Sequence, residues 1–361
     1  MGLTLTLTDR EIPASPSFIE FLHADLTDGK QYAGSWFNQQ DEGMHRDPER
    51  YEGIQEKAKF VLNHPEGQRQ IIRSYRFFKE MLTGRPNELR DLTRYRIFFV
   101  TGIPRTGGTY ITKQLFRAGN IDYKTVQNAL AHDGFPHLGY LSFKGRSNIH
   151  TNGLMQLAEY LIMVDIFFKR HGRLAYQGGV IVPKKFTKGV YYFDIVRELF
   201  GEKSNYIVTL RHPLSVIQSV LDKAGGMPKD RKYGLRSAIE RWALDDWTHW
   251  GVPERRIVSM NYVEVFCGYW KRYHYQMALS GIARMPTTQM IPYGRENMIE
   301  AVKFWYKEFN VDLQPEEFKT AKTPKFLPEE EKLAEKTLDD VASFWHSLGL
   351  KFPKEQLMDR H

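Results

Sequence analysis

Residues 97–110 read Ile97-Phe-Phe-Val-Thr-Gly102-Ile-Pro-Arg105-Thr106-Gly107-Gly108-Thr109-Tyr110, an apolar run that stops in a glycine-bracketed turn ahead of a helical pattern. A short apolar run bounded by glycine and proline reads as a buried strand. Gly102, Gly107, Gly108 and Thr109 keep the spacing of a Walker A phosphate loop, G-x-x-x-x-G-K-[ST], with Gly108 where the lysine belongs. That lysine reaches the β- and γ-phosphates of a nucleoside triphosphate. Without it the loop is suited to hold a phosphate and poorly equipped to move one. Arg105, inside the loop, is the nearest cation, so the expected ligand is a nucleotide of a different kind.

A second strand-to-helix stretch narrows the choice: Asn205-Tyr-Ile-Val-Thr-Leu-Arg211-His-Pro213-Leu-Ser-Val-Ile-Gln-Ser219-Val220. Arg211 closes the strand, Pro213 suits the first turn of a helix, and Ser219 follows two helical turns later. A cation and a hydroxyl so placed can grip one small anion. Two phosphate-sized sites suit a nucleotide phosphorylated at two separate positions.

On these residues the chain resembles the PAPS-dependent sulfotransferases, whose donor is 3′-phosphoadenosine 5′-phosphosulfate. Pro104-Arg105-Thr106-Gly107-Gly108-Thr109 is similar to the family's first signature and departs from it at Gly108, where threonine is usual. Arg211-His212-Pro213 with Ser219 is similar to the second. Val258-Ser-Met-Asn-Tyr262-Val-Glu264 resembles a family strand that ends in a Tyr-Glu pair near the adenine. The tail from Leu327 to Leu350 resembles the closing helix of bacterial members. The likeness spans roughly residues 95–350, with the parts in the same order.

The resemblance implies the roles. Arg105, Thr106, Gly107, Gly108, Thr109 and Tyr110 would cradle the 5′-phosphosulfate and face the adenine, Arg211 and Ser219 would hold the 3′-phosphate, and Tyr262 would lie beside the base. Backbone N–H groups at a helix start favour an anion, and Arg105 would neutralise charge on the leaving phosphate. Gly178-Gly-Val-Ile-Val-Pro-Lys184-Lys185-Phe186 resembles the strand that carries a catalytic lysine, assigned here to Lys185 over Lys184. Cytosolic relatives place a histidine two residues beyond that lysine, where Thr187 stands. The general base that takes the acceptor's proton is therefore sought in Gln127–His137, with His132 and Asp133 as candidates, then His137 and His150. The implied reaction moves a sulfuryl group by in-line displacement to a hydroxyl or amine of a small-molecule or carbohydrate acceptor, and releases adenosine 3′,5′-bisphosphate. Competing readings are a P-loop kinase or ATPase, which Gly108 and the lack of a clear strand-end Mg²⁺ carboxylate oppose, and a non-catalytic nucleotide- or carbohydrate-binding protein.

From Tyr95 strands and helices alternate, which predicts an α/β fold: a parallel sheet flanked by helices, in the P-loop-like sulfotransferase form. Strands are expected at 96–101, 121–126, 179–183, 204–210 and 256–261. Helices are expected at 107–118, 153–170, 190–200, 212–223, 235–249, 262–279, 296–309 and 328–348. Residues 1–94 read as a mostly helical extension, with a helix near 67–82, and 351–361 as a tail. Loops 127–152, 224–234 and 281–295 are expected to shape the acceptor pocket, while Trp242, Trp247 and Trp250 are read as core.

At 361 residues and 42% hydrophobic, the chain can bury a large core. Its net charge of +8 is scattered among acids, without a long basic run. That argues against a nucleic-acid partner and suits a polyanionic cofactor. No apolar run nears the roughly eighteen residues of a membrane helix, and the N-terminus lacks the pattern of a signal peptide. A cytoplasmic protein is expected. One cysteine, Cys267, excludes an internal disulfide, and no metal site is expected.

Overall fold

The computed structural model describes residues 12–27, 47–84, 94–131, 149–191, 193–319 and 326–358. Five strands make one sheet: β1 (Tyr95–Thr101), β2 (Ala175–Tyr176), β3 (Gly179–Lys185), β4 (Asn205–Leu210) and β5 (Thr288–Pro292), in the order β2-β3-β1-β4-β5. β1, β4 and β5 run parallel, with Val100 opposite Ile207 and Ile207 opposite Gln289. β2 and β3 are antiparallel, so the sheet is mixed and not wholly parallel as expected. Gln177 (φ 46°) and Gly178 (φ 80°) explain this: two successive positive φ angles make the tight turn that folds a strand back on itself.

The longer helices are α1 (Pro16–Thr27), α2 (Pro48–Asn63), α3 (Pro65–Thr83), α4 (Gly108–Ala118), α5 (Ile149–His171), α6 (Phe193–Phe200), α7 (Pro213–Ala224), α8 (Ala238–His249), α9 (Tyr262–Ser280), α10 (Arg295–Glu308) and α11 (Pro328–Ser347). Local chemistry sets their ends. Asp47 caps α2 by accepting from the Arg50 N–H, with Pro48 in the first turn, and Gly84 ends α3 at φ 62°.

Two expected strands are helical turns instead. In 121–126, Asp122 accepts from the Lys124 N–H at 3.0 Å and starts a turn over Tyr123–Val126. In 256–261, a turn over Glu254–Ile257 follows Pro253, and Asn261 caps α9 by accepting from the Val263 N–H at 2.8 Å. Conversely, β5 falls inside 281–295, expected as a pocket loop.

The chain divides into two compact units, Met1–Ile97 with Leu115–Lys185, and Phe98–Gln114 with Phe186–His361. In the first, α3 packs on α5 around Asp165, whose carboxylate accepts from Arg73 (2.6 Å), Lys169 (3.0 Å) and the Tyr95 hydroxyl (2.8 Å), and contacts Arg94. In the second, Phe98 of β1 meets Trp305 and Phe309 edge-on, and Phe99 stacks on Tyr206. α9 is buried along much of its length and carries α11, where the Trp345 indole donates to the His274 carbonyl at 2.9 Å.

Candidate anion-binding site

The turn between β1 and α4 is packed from both sides. Gly102 sits at φ 151°, where a Cβ would lie 2.4 Å from the Thr209 carbonyl oxygen of β4. Gly107 sits at φ 91°, where a Cβ would lie 2.3 Å from the Met298 methyl of α10. Only glycine meets the packing and the φ together. Between them Arg105 holds φ 75°, a left-handed conformation that costs a non-glycine residue about 1–2 kcal/mol. Strain of that kind persists where surrounding contacts impose it.

Those contacts come from β4 and α7. The Arg105 Nε donates to Ser219 Oγ at 3.0 Å, and Arg211 Nη1 donates to the Arg105 carbonyl at 2.9 Å. The Arg211 guanidinium lies 3.8 Å from the centre of the Tyr293 ring, just past β5. Arg211 is only 3% exposed. Burial pushes its pKa down to about 10; Tyr293 opposes that drop and the neighbouring charge of Arg105 adds to it. Burial likewise lowers Arg105, and among the described residues Arg105 makes no ion pair. A buried guanidinium beside a half-buried one is an arrangement that an anion relieves.

The other loop residues divide. Thr106 points inward, donating to the Ile103 carbonyl at 2.8 Å and lying 2.7 Å from Thr209 Oγ1, so its hydroxyl braces the loop. Gly108 is buried and opens α4, and Thr109 is exposed on its first turn. Tyr110 donates to the Glu316 carbonyl at 2.7 Å and meets Phe318 edge-on. Phe318 in turn meets Tyr293. The structure thus brings Arg105, Arg211, Ser219 and the loop glycines together, with an aromatic series from Tyr110 to Tyr293 beside them.

Tyr262 opens α9. It is fully buried, donates to Glu240 at 2.8 Å, and packs on Tyr233 and Phe266. Lys184 and Lys185 alternate across β3: Lys184 is buried with its ammonium 4.5 Å from the Tyr160 ring centre, and Lys185 is half-buried. His132, Asp133 and His137 lie outside the described residues, and His150 falls in the first turn of α5. The three tryptophans read as core differ: Trp247 donates to the Val265 carbonyl at 2.8 Å, Trp242 lies under the Lys188 ammonium, and Trp250 is 64% exposed.

Sequence reading missed Tyr293 and Lys188. Tyr293 had a signal, a strand-like Thr-Gln-Met-Ile-Pro ending in Tyr-Gly before a helix. Lys188, 5% exposed, had none, because only the fold sets it against Trp242.

No family model matches the sequence, and no curated protein does. Among solved structures, the sulfotransferase STF1 from Mycobacterium tuberculosis H37Rv aligns over 96% of this chain and 99% of its own, at 12% identity and a TM-score of 0.35. Among the described residues, no helix is long and apolar enough to cross a membrane, and no group of three His, Cys, Asp or Glu side chains is placed to hold a metal.

Proposed function

We propose that the protein is a sulfotransferase that takes the sulfuryl group of PAPS to a hydroxyl or amine of a small-molecule or carbohydrate acceptor. The observation that carries this is the pairing of Arg105 and Arg211 around Ser219 at the ends of β1 and β4. A buried and a half-buried cation with a hydroxyl, beside a turn of glycines that opens a helix, form a donor set for phosphate oxygens.

PAPS supplies an activated sulfuryl group, transferred by in-line displacement. In this reading Arg211 and Ser219 bind the 3′-phosphate, which separates PAPS from ADP and ATP. Arg105 and the N–H groups that open α4 stabilise the charge on the 5′-phosphate as its bond to sulfur breaks. Tyr110 lines the base, and Lys185 assists at the sulfuryl oxygens. His132 or Asp133 accepts the acceptor's proton as its oxygen or nitrogen bonds to sulfur, and adenosine 3′,5′-bisphosphate leaves.

Calorimetry tests the binding half. Adenosine 3′,5′-bisphosphate should bind at least tenfold more tightly than ADP without Mg²⁺, and equal affinities would refute the roles of Arg211 and Ser219. Labelled PAPS offered with phenol, alkyl-alcohol, amine and sugar acceptors tests the transfer.

A further inference from the structure

The carbonyl of Arg211 stands at a gap in the backbone ladders. The β4–β5 ladder ends at Leu210, whose carbonyl accepts from the Tyr293 N–H at 2.6 Å. The α7 ladder begins two residues later, with Val216 N–H donating to the His212 carbonyl at 3.1 Å. Pro213 contributes no N–H and holds His212 extended at φ −53°, ψ 136°. Arg211 is the one residue of this corner whose carbonyl belongs to neither element, and a buried carbonyl needs a partner.

That partner is the indole of Trp270. Its Nε1 donates to the Arg211 carbonyl at 3.0 Å, in a buried contact made from α9. Trp270 is itself held: its ring lies 3.8 Å from that of His274 one turn on, and Phe352 meets it edge-on. The indole therefore fixes the peptide between Arg211 and His212 from below. Above it, the Arg211 side chain has a short path to Tyr293 and to the Arg105 carbonyl.

We propose that Trp270 is a positioning residue for Arg211, aiming its guanidinium at the 3′-phosphate of the nucleotide; this rests on reading Arg211 as the ligand of that phosphate. The indole N–H acts only through Arg211. Its loss weakens recognition of the 3′-phosphate more than that of the rest of the nucleotide.

Calorimetry with adenosine 3′,5′-bisphosphate and with AMP, which lacks the 3′-phosphate, separates this role from general packing. Trp270→Phe should bind the bisphosphate about five- to tenfold more weakly, the worth of one neutral hydrogen bond, and AMP more weakly by a clearly smaller factor. In an Arg211→Ala background Trp270→Phe should cost nothing more. Equal losses for both ligands, no loss, or full additivity would overturn the proposal. Site-specific β-(3-benzothienyl)alanine at position 270 keeps the ring shape and lacks the N–H, so it gives the same reading should Trp270→Phe fail to fold. A wild-type protein that binds the two ligands equally would overturn the function reading and this proposal together. A discriminating wild type with an unaltered variant overturns only the role of Trp270.

Discussion

His274 sits where a charged imidazole has no room to exist. It is wholly buried on α9 between Trp270, Tyr273 and Phe352, and its Nδ1 donates to the Trp270 carbonyl at 2.7 Å. Burial pushes its pKa from 6.5 down to about 4, although the bond to Trp270 pulls the other way. Between those two values the unfolded chain binds a proton that the folded chain refuses. Stability therefore rises with pH across that window: this contribution is complete above 6.5 and is lost as pH falls toward 4. At about 1.36 kcal/mol per pH unit, the loss is about 2 kcal/mol between pH 6.5 and about pH 5, and about 3 kcal/mol in all. His274→Phe keeps the ring and removes the proton site. Urea unfolding of both proteins at half-unit steps from pH 7.5 to about 5 isolates the effect, because every other titrating group cancels in the difference. The wild-type advantage over His274→Phe should shrink by about 2 kcal/mol across that range. A difference that stays constant with pH would show that the imidazole titrates as freely when folded as when unfolded, and the reasoning would fail.

Three further outcomes are expected. Asp165→Asn removes the acceptor shared by Arg73, Arg94 and Lys169 and should cost about 3 kcal/mol in denaturant unfolding at neutral pH. Burial pushes the Asp165 carboxyl up, but its hydrogen bonds from Arg73, Tyr95 and Lys169 prevail and hold it at about 2 against 3.8. Its contribution is thus present above pH 3.8 and lost as pH falls through 2, so the deficit should narrow in acid. Gly102→Ala drives a Cβ into the Thr209 carbonyl and should cost about 2–3 kcal/mol, read as a lower melting temperature. Arg105→Ala should lower turnover at saturating PAPS by about a hundredfold while Arg105→Lys keeps much of it; a change confined to KM would leave Arg105 an anchor only.

The strands that form the middle of the sheet were legible because their residues are buried on both faces, as in Ile97–Val100 and Tyr206–Leu210. Such continuous apolar runs need no context. β5 was not legible for the opposite reason: it lies at the sheet edge, only Ile291 in it is buried, and Pro292 closes it. The two false strands failed on local turn chemistry: Asp122 starts the turn over Tyr123–Val126, and Pro253 opens the one over Glu254–Ile257. In the candidate site, the strand-to-helix placement of Arg105, Arg211 and Ser219 was legible from the apolar runs and spacing, and the three residues are in contact. Trp270 was not, because it acts through a partner distant in sequence, and the strand-like run ahead of Tyr293 was read as a loop. His132 and Asp133 lie outside the described residues.

The close packing of the turn after β1 has a consequence for how the protein is made. Gly102 takes its place against Thr209, and Gly107 against Met298 and Phe318. The turn leaves the ribosome about a hundred residues before the first of these partners and about two hundred before the last. Until then Phe98 and Phe99 wait without Trp305 and Tyr206. A chain stopped after Lys185 would hold all of the first compact unit and still carry Phe98–Gln114 of the second, with β1 lacking its β4 neighbour. The contact of Arg105 with Arg211 and Ser219 is therefore acquired late in synthesis, and a truncated product presents one side of β1 as an open strand edge.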